Sequence, residues 1–144
     1  MASGGGTLLA FDYGRRRIGV AVGNTLTGRA QPLLTLDATD AGPDWTRIAA
    51  LLDEWRPARL VVGVPYNTGP AGDEIAVAAQ RFARRLHGRF NLPVDTVDEH
   101  LSSAAAHEQL KDERRAGRRR AIAKKDIDSA AAAVILQDWL DNHP

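Results

Sequence analysis

The chain contains no cysteine, which excludes disulfide bonds and thiolate metal sites and is typical of a cytoplasmic protein. It also lacks any apolar run near the roughly 18 residues that a membrane-spanning helix requires. The first six residues, MASGGG, have neither the basic nor the apolar region of a signal peptide. We therefore expect a cytoplasmic protein without membrane association, with a flexible leader at residues 1–6 and a single domain at residues 7–141.

Two common enzyme signatures are missing as well. No glycine-rich phosphate loop or dinucleotide fingerprint occurs, which argues against an ATPase or a dehydrogenase. No motif places a histidine base beside Ser102 or Ser103, so these serines resemble helix caps more than nucleophiles. What remains is a chain with 44% apolar and 26% charged residues, which is the composition of an ordinary globular domain.

The formal net charge of +1 conceals an uneven distribution of basic residues. The stretch from Lys111 to Lys125 is strongly basic and is opposed only by Asp112 and Glu113. A second small cluster, Arg15 to Arg17, follows the first apolar segment. Such clusters favour an anionic partner at one face of the protein, although a solvated, arginine-rich helix is the simpler alternative.

The hydrophobic pattern predicts an α/β fold. Short apolar or alternating segments predict five strands, at residues 7–11, 17–22, 33–36, 60–64 and 92–97. Helical spacing predicts helices at residues 44–55, from 73 to about 88, 102–116 and 128–141, with a loop at residues 65–72. This order predicts a five-stranded mixed sheet: a three-stranded antiparallel meander plus parallel strands, flanked by helices.

Three acids stand where such a fold gathers ligands. Asp12 and Glu99 follow predicted strands, and Asp128 opens an alanine-rich helix. Like charges in a poorly solvated pocket disfavour joint ionisation, and a divalent cation relieves that cost. Carboxylate oxygens are the ligands that Mg²⁺ and Mn²⁺ prefer. The pattern therefore favours metal-assisted phosphodiester chemistry.

Each acid also has a simpler interpretation. Asp12 resembles a turn residue, because aspartate is common before a glycine-containing link. Asp98 competes with Glu99, and adjacent residues of an extended segment point to opposite faces, so only one should reach a shared site. Asp128 resembles a helix cap, as does Asp126, but Asp128 shares the helix face that is predicted to pack inward. We expect Asp126 to be the cap or a solvated acid.

Four segments closely resemble the YqgF/RuvX family. They are FDYGRRRIGVA at residues 11–21, VGVPYN at 62–67, VDEHLS at 97–102 and IDSAAA at 127–132. That family has an RNase H-like fold and is described as nucleases of pre-16S rRNA or, in older usage, as Holliday junction resolvases. The resemblance implies that Asp12, Glu99 and Asp128 are the catalytic, metal-binding triad. This sequence departs from the family's pattern at residues 68–72, TGPAG, where the family usually has a methionine-containing loop.

The resemblance and the charge pattern together define an expected function. We expect a nuclease with a two-metal site for Mg²⁺ or Mn²⁺, acting as a monomer or homodimer on an RNA precursor or on branched or single-stranded DNA. The expected nucleic-acid contacts are Arg16, Arg17, Asn67, Arg118, Arg119, Arg120, Lys124 and Lys125. Processing of pre-16S rRNA is the leading expectation, and junction cleavage is the alternative, which requires a two-fold dimer. A third possibility is a non-catalytic nucleic-acid-binding protein.

Overall fold

The computed structural model describes residues 6–39, 42–64, 69–98 and 124–143. The strands are β1 (Thr7–Asp12), β2 (Arg17–Asn24), β3 (Arg29–Thr39), β4 (Gly42–Pro43), β5 (Arg59–Val64) and β6 (Val94–Asp98). The helices are α1 (Trp45–Trp55), α2 (Gly69–Phe90) and α3 (Lys124–Asn142). The predicted helix at residues 102–116 lies outside the described residues.

The strands form one mixed sheet in the order β4-β3-β2-β1-β5-β6. As predicted, β1 pairs with β2 in antiparallel and with β5 in parallel orientation, and β6 is parallel to β5. The predicted number of strands was wrong: the sheet has six rather than five, because the two-residue β4 pairs with the end of β3. So short a strand, built on Gly42 and Pro43, carries no periodic pattern that a sequence could display.

The two faces of the sheet are covered by different helices. Along β1, Leu9 and Phe11 belong to the core cluster that includes residues of α1 and α2, while Leu8 and Ala10 pack with α3. This division follows from the alternation of side chains along a strand. Residues 60–64 of β5 are buried, as expected for a strand covered on both faces.

The third strand is longer than the sequence pattern predicted. It runs from Arg29 to Thr39 and so includes Pro32, which directly precedes the predicted strand at residues 33–36. The pairing with β2 shifts register here, since Val20 pairs with Leu34 but Ala21 pairs with Pro32. An irregularity of this kind is one of the few places where a sheet accepts proline, which has no N–H to donate.

Two helix boundaries also differ from the predictions. The predicted loop at residues 65–72 is too long, because α2 begins at Gly69. The helix then continues past Gly88 to Phe90, and Asn91 takes the left-handed conformation with its N–H donating to His87. By contrast, α1 begins after Asp44, whose carboxylate accepts from the N–H of Arg47, close to the predicted start.

The last helix, α3, begins at Lys124 rather than at Asp128. Asp128 therefore lies in the second turn, so the capping interpretation of this residue is wrong. Asp126 also lies within the helix and is not its N-cap. Of the helices that the structure describes, none is both long and apolar enough to cross a lipid bilayer.

Candidate active site

Asp12 is the last residue of β1 and stands at the carboxyl end of the parallel part of the sheet. Its neighbours across the sheet are both glycines, Gly19 on β2 and Gly63 on β5. Because Leu8 and Ala10 face α3, alternation along β1 turns the half-buried Asp12 towards α3 as well. With glycine on either side, no neighbouring side chain of the sheet crowds the carboxylate on that face.

Asp128 is brought to the same place by a close contact between α3 and β2. A Cβ atom added to Gly19 would overlap the carbonyl group of Asp128 and come within 2.9 Å of the backbone nitrogen of Ser129. The helix backbone thus rests directly on the strand backbone at Gly19. Asp12 is the residue opposite Gly19, and opposite Cβ positions lie about 5 Å apart, so this contact brings the backbone of Asp128 to the part of the sheet that Asp12 occupies.

The small residues of α3 allow this approach. Ala131 and Ala132 are fully buried, and Ile135 and Trp139 continue the same buried stripe. The predicted inward-facing stripe of α3 is therefore present. Farther along the contact, Gly23 of β2 faces Leu136, so β2 offers a second glycine to the helix. Alanine on the helix and glycine on the strand together remove the side-chain volume that would hold the two elements apart.

Arg17 forms an ion pair with Asp128. Its Nε donates to Asp128 Oδ2 at 2.8 Å, and the side chains of Arg17 and Asp128 are 33% and 27% exposed. Arg17 begins β2, two residues before Gly19, and so shares the face that α3 covers. The arginine expected to contact nucleic acid therefore contacts one of the predicted metal ligands, and it orients that carboxylate.

Asp98 is the last residue of β6 and faces away from α3. Asp95 accepts a hydrogen bond from Trp139 of α3, and Val97 packs with the α3 cluster, so alternation turns the exposed Asp98 to the other face. Glu99 lies outside the described residues. Among residues 6–39, 42–64, 69–98 and 124–143, no three acids or histidines are grouped so that they could hold a metal ion. The structure therefore describes two of the three predicted ligands, Asp12 and Asp128, and their role in a metal site stays a prediction.

The other predicted contacts are only partly described. Arg16 is exposed beside Arg17, and its carbonyl oxygen accepts from the N–H of Ala38. Asn67, Arg118, Arg119 and Arg120 lie outside the described residues. Lys124 and Lys125 form the start of α3, where the structure describes the backbone but not these side chains.

Sequence reasoning missed the part played by Gly19. Its signal is the series Gly19, Ala21, Gly23 at alternate positions of β2, which marks a strand face that a helix backbone approaches closely. The alanine run of α3 is the complementary signal. Neither series predicts a site alone, but their combination predicts which face of the sheet receives Asp128.

Known proteins resemble this chain over nearly its whole length. A family described as "RuvX: Holliday junction resolvase" matches residues 6–142. The chain belongs to the RuvX family. A relative from Pseudomonas aeruginosa PAO1 is 49% identical over 138 residues, covering 95% of this chain and 93% of the relative. One from Azotobacter vinelandii is 48% identical over 143 residues, covering 99% and 98%. Both are provisionally named pre-16S rRNA nuclease.

Solved structures of other proteins share the fold of this RuvX family member. Thermus thermophilus RuvC in complex with a Holliday junction substrate has a TM-score of 0.53 and 17% identity, covering 95% of this chain and 94% of that chain. The yeast mitochondrial Holliday junction resolvase Ydc2 has a TM-score of 0.56 and 11% identity, covering 92% and 77%. Because the sequence identities are low, these likenesses show the fold alone. That fold is the RNase H-like one predicted from the sequence.

The backbone contact at Gly19 generates a stability prediction. Gly19→Ala should lower the free energy of unfolding by about 1–3 kcal/mol, because the added methyl group overlaps backbone atoms that cannot rotate away. Gly88→Ala is the matched control, since a Cβ there meets nothing within 4 Å. Gly88 lies in the last turn of α2, so this change should leave the stability unchanged or raise it by less than the about 0.5–1 kcal/mol expected in the middle of a helix. Urea unfolding of both variants measures the difference, and equal unfolding free energies would contradict the proposed contact.

Proposed function

We propose that the chain is a divalent-metal-dependent nuclease that hydrolyses phosphodiester bonds at the Asp12–Asp128 edge of the sheet. The observation that supports this proposal is the close contact of α3 with Gly19, because it brings the backbone of Asp128 close to the residue that pairs with Asp12. Two acids brought together at the carboxyl end of a parallel sheet repel each other unless a cation lies between them.

The residues present fit a hard divalent cation. Asp12 and Asp128 supply carboxylate oxygens, which Mg²⁺ and Mn²⁺ prefer, and the two flanking glycines leave room beside Asp12. We propose Glu99 as the third ligand. It follows Val97 by two positions, so a strand continued to residue 99 would present it on the face that Asp12 occupies. A metal held by these carboxylates would supply the Lewis acidity that lowers the pKa of a bound water and offsets charge on the departing oxygen.

Arg17 has a positioning role in this proposal. Among the described residues this contact engages Asp128 Oδ2, and Oδ1 of the same carboxylate would serve as the metal ligand. A guanidinium beside a carboxylate also offsets part of the negative charge that the site accumulates. Because both side chains are about one-third exposed, the pair contributes little to stability, and its main effect is on the orientation of Asp128.

The proposed substrate is a ribosomal RNA precursor. Relatives nearly half identical over almost the whole chain are provisionally named pre-16S rRNA nuclease, which supports this assignment and a cytoplasmic location. Holliday junction cleavage is the second candidate, supported by the description of the family. A junction requires two symmetric cuts and hence a two-fold dimer. Cleavage of a panel of precursor rRNA, single-stranded RNA, single-stranded DNA and a four-way junction, in Mg²⁺ and in Mn²⁺, distinguishes these substrates.

Asp12→Asn should reduce the rate of cleavage of the best substrate at least about 100-fold. Mutation of a residue that only supports a metal ligand already lowers activity by about 10–100-fold, and removal of the ligand itself should lower it at least as much. The change preserves shape, so folding and nucleic-acid binding should persist. Asp98→Asn is the control, since Asp98 is exposed on the opposite face and should retain most of the activity. Near-wild-type cleavage by Asp12→Asn would show that another residue carries the reaction.

A second pair of variants tests the helix-face assignment of Asp128. Two positions along a helix correspond to about 200° of rotation, so an inward-facing residue at position 128 implies a different helix face for position 126. Asp128→Asn should therefore abolish cleavage while Asp126→Asn retains it, as measured by initial rates in Mn²⁺. Equal losses in the two variants would overturn the assignment.

The basic segment at residues 111–125 is proposed to bind phosphates. Replacing Arg118, Arg119 and Arg120 with Ala should weaken the binding of every substrate by a similar factor, because phosphate contacts do not read sequence. On single strands the slope of log affinity against log salt should become shallower by about 0.7 per lost contact, or about 2 in total. A triple replacement of Arg29, Arg47 and Arg56 removes the same charge elsewhere and is the control. If the variant at Arg118, Arg119 and Arg120 keeps the wild-type slope, as the control variant should, those three arginines do not contact phosphate.

A further inference from the structure

Helix α2 carries a basic stripe that the sequence analysis did not single out. From Ile75 to Phe90 the chain has four arginines and no acid. Three of them, Arg81, Arg85 and Arg89, recur every fourth residue and so lie along one side of the helix. Four residues of helix rise about 6 Å, which is close to the spacing between successive phosphates of an extended single strand.

A cavity of ≈ 280 Å³ lies between this stripe and the junction of β4 with α1. Its walls include the aromatic side chains of Tyr13, Trp45 and Phe82, with Arg81 and Arg85 at the α2 side. We call this cavity and the adjoining arginine stripe the α2 groove. The cavity is of nucleotide size, which suits one strand and not a double helix.

The aromatic wall of the α2 groove is held rigidly. Trp45 stacks on Phe82 with a centroid distance of 5.7 Å and an interplanar angle of 30°. Tyr13 contacts the same ring at 5.1 Å. The guanidinium of Arg89 lies 4.2 Å above the Trp45 ring, a cation–π contact that fixes the third arginine of the stripe at the end of the wall. The groove is therefore organised before any ligand binds.

The charge at the α2 groove is not balanced by acids of the described residues. Both Arg81 and Arg85 are exposed, and within the described residues neither side chain makes a hydrogen bond or an ion pair. The nearest acid earlier in α2, Glu74, is paired with Arg15 at 2.8 Å. At the start of α1, the Asp44 carboxylate accepts from the N–H of Arg47 at 3.2 Å. Two uncompensated guanidinium groups beside an aromatic wall fit an anion with planar, apolar parts.

The α2 groove begins at the candidate active site. Tyr13, one of its wall residues, directly follows Asp12, so the two Cα atoms are about 3.8 Å apart. Asp12 faces α3, whereas Tyr13 packs with the α1–α2 cluster on the other side of the sheet. A strand that passes the carboxyl end of β1 can therefore continue from the acids into the groove without crossing the sheet.

We propose that the α2 groove binds a single-stranded phosphodiester segment of the substrate, with Arg81 and Arg85 contacting successive phosphates. This inference rests on the proposed nuclease function for the identity of the ligand. It extends that function by assigning a path for the strand beyond the cleavage site, on a helix outside the basic segment at residues 111–125. The contacts are to the backbone, so the groove accepts RNA or DNA of any sequence.

The test compares two double variants in the Asp12→Asn background, which prevents cleavage during the measurement. Binding of a fluorescein-labelled single-stranded RNA, and of the same RNA as a duplex, is followed by fluorescence anisotropy at several salt concentrations. Arg81→Ala with Arg85→Ala should weaken single-strand binding about tenfold and reduce the salt slope by about 1.4, which is 0.7 for each of two contacts. Duplex binding should change much less.

Arg29→Ala with Arg84→Ala is the matched control, because it removes the same charge from two exposed arginines that do not line the groove. Its affinity and slope should stay near those of Asp12→Asn alone. Arg81→Lys with Arg85→Lys should restore the slope, since lysine keeps the charge. Thermal unfolding of each variant verifies that the fold is intact.

The outcomes separate this inference from the proposed function. An unchanged slope for the Arg81 and Arg85 double variant would overturn the groove assignment even if the wild-type protein cleaves its substrates. Equal losses on single strand and duplex would also overturn it, because they indicate a general charge effect. Selective loss of single-strand binding would support the groove even if wild-type protein failed to cleave, in which case the nuclease proposal would fail alone.

Discussion

The backbone contact between Gly19 of β2 and Asp128 of α3 is the constraint on which the candidate site depends. It exists because the strand has no side chain at this position and the helix presents alanines around it. Any larger residue at position 19 would push the helix outwards and carry Asp128 away from Asp12. A substitution that disturbs the packing at Gly19 is therefore expected to displace Asp128 as well, because the same contact fixes both.

The packing at Gly19 also determines which charged side chains share one face of the sheet. Asp12 and Asp128 are carried by elements more than 100 residues apart in sequence, yet one register pair and one helix contact bring them to the same face. Arg17 offsets part of the charge by pairing with Asp128, and its position two residues before Gly19 places it on that face too. Both acids and the arginine are thus positioned by the β1–β2 hairpin and α3, and the rest of the sheet supports these elements.

Much of this could be predicted from sequence where a pattern repeats. The strands β1, β2 and β5, the helix α1 and the inward stripe of α3 have clear periodicity, and their types and order were predicted correctly. The passage of β3 through Pro32, the two-residue β4 and the earlier start of α3 were not, because each depends on partners distant in sequence. The role of Gly19 and the grouping of Arg81 with Trp45 likewise depend on tertiary contacts. Glu99 and the basic segment around Arg119 lie outside the described residues, so their roles stay predictions.

The central claim is that Asp12 and Asp128 hold the same divalent cation, and diffraction from crystals soaked in Mn²⁺ tests it most directly. Manganese scatters anomalously, so its position is independent of the interpretation of the surrounding density. If the two acids share one ion, an anomalous peak should lie within coordination distance of carboxylate oxygens from both Asp12 and Asp128. A peak that touches only one of the two acids, or saturating Mn²⁺ that produces peaks only elsewhere, would contradict it.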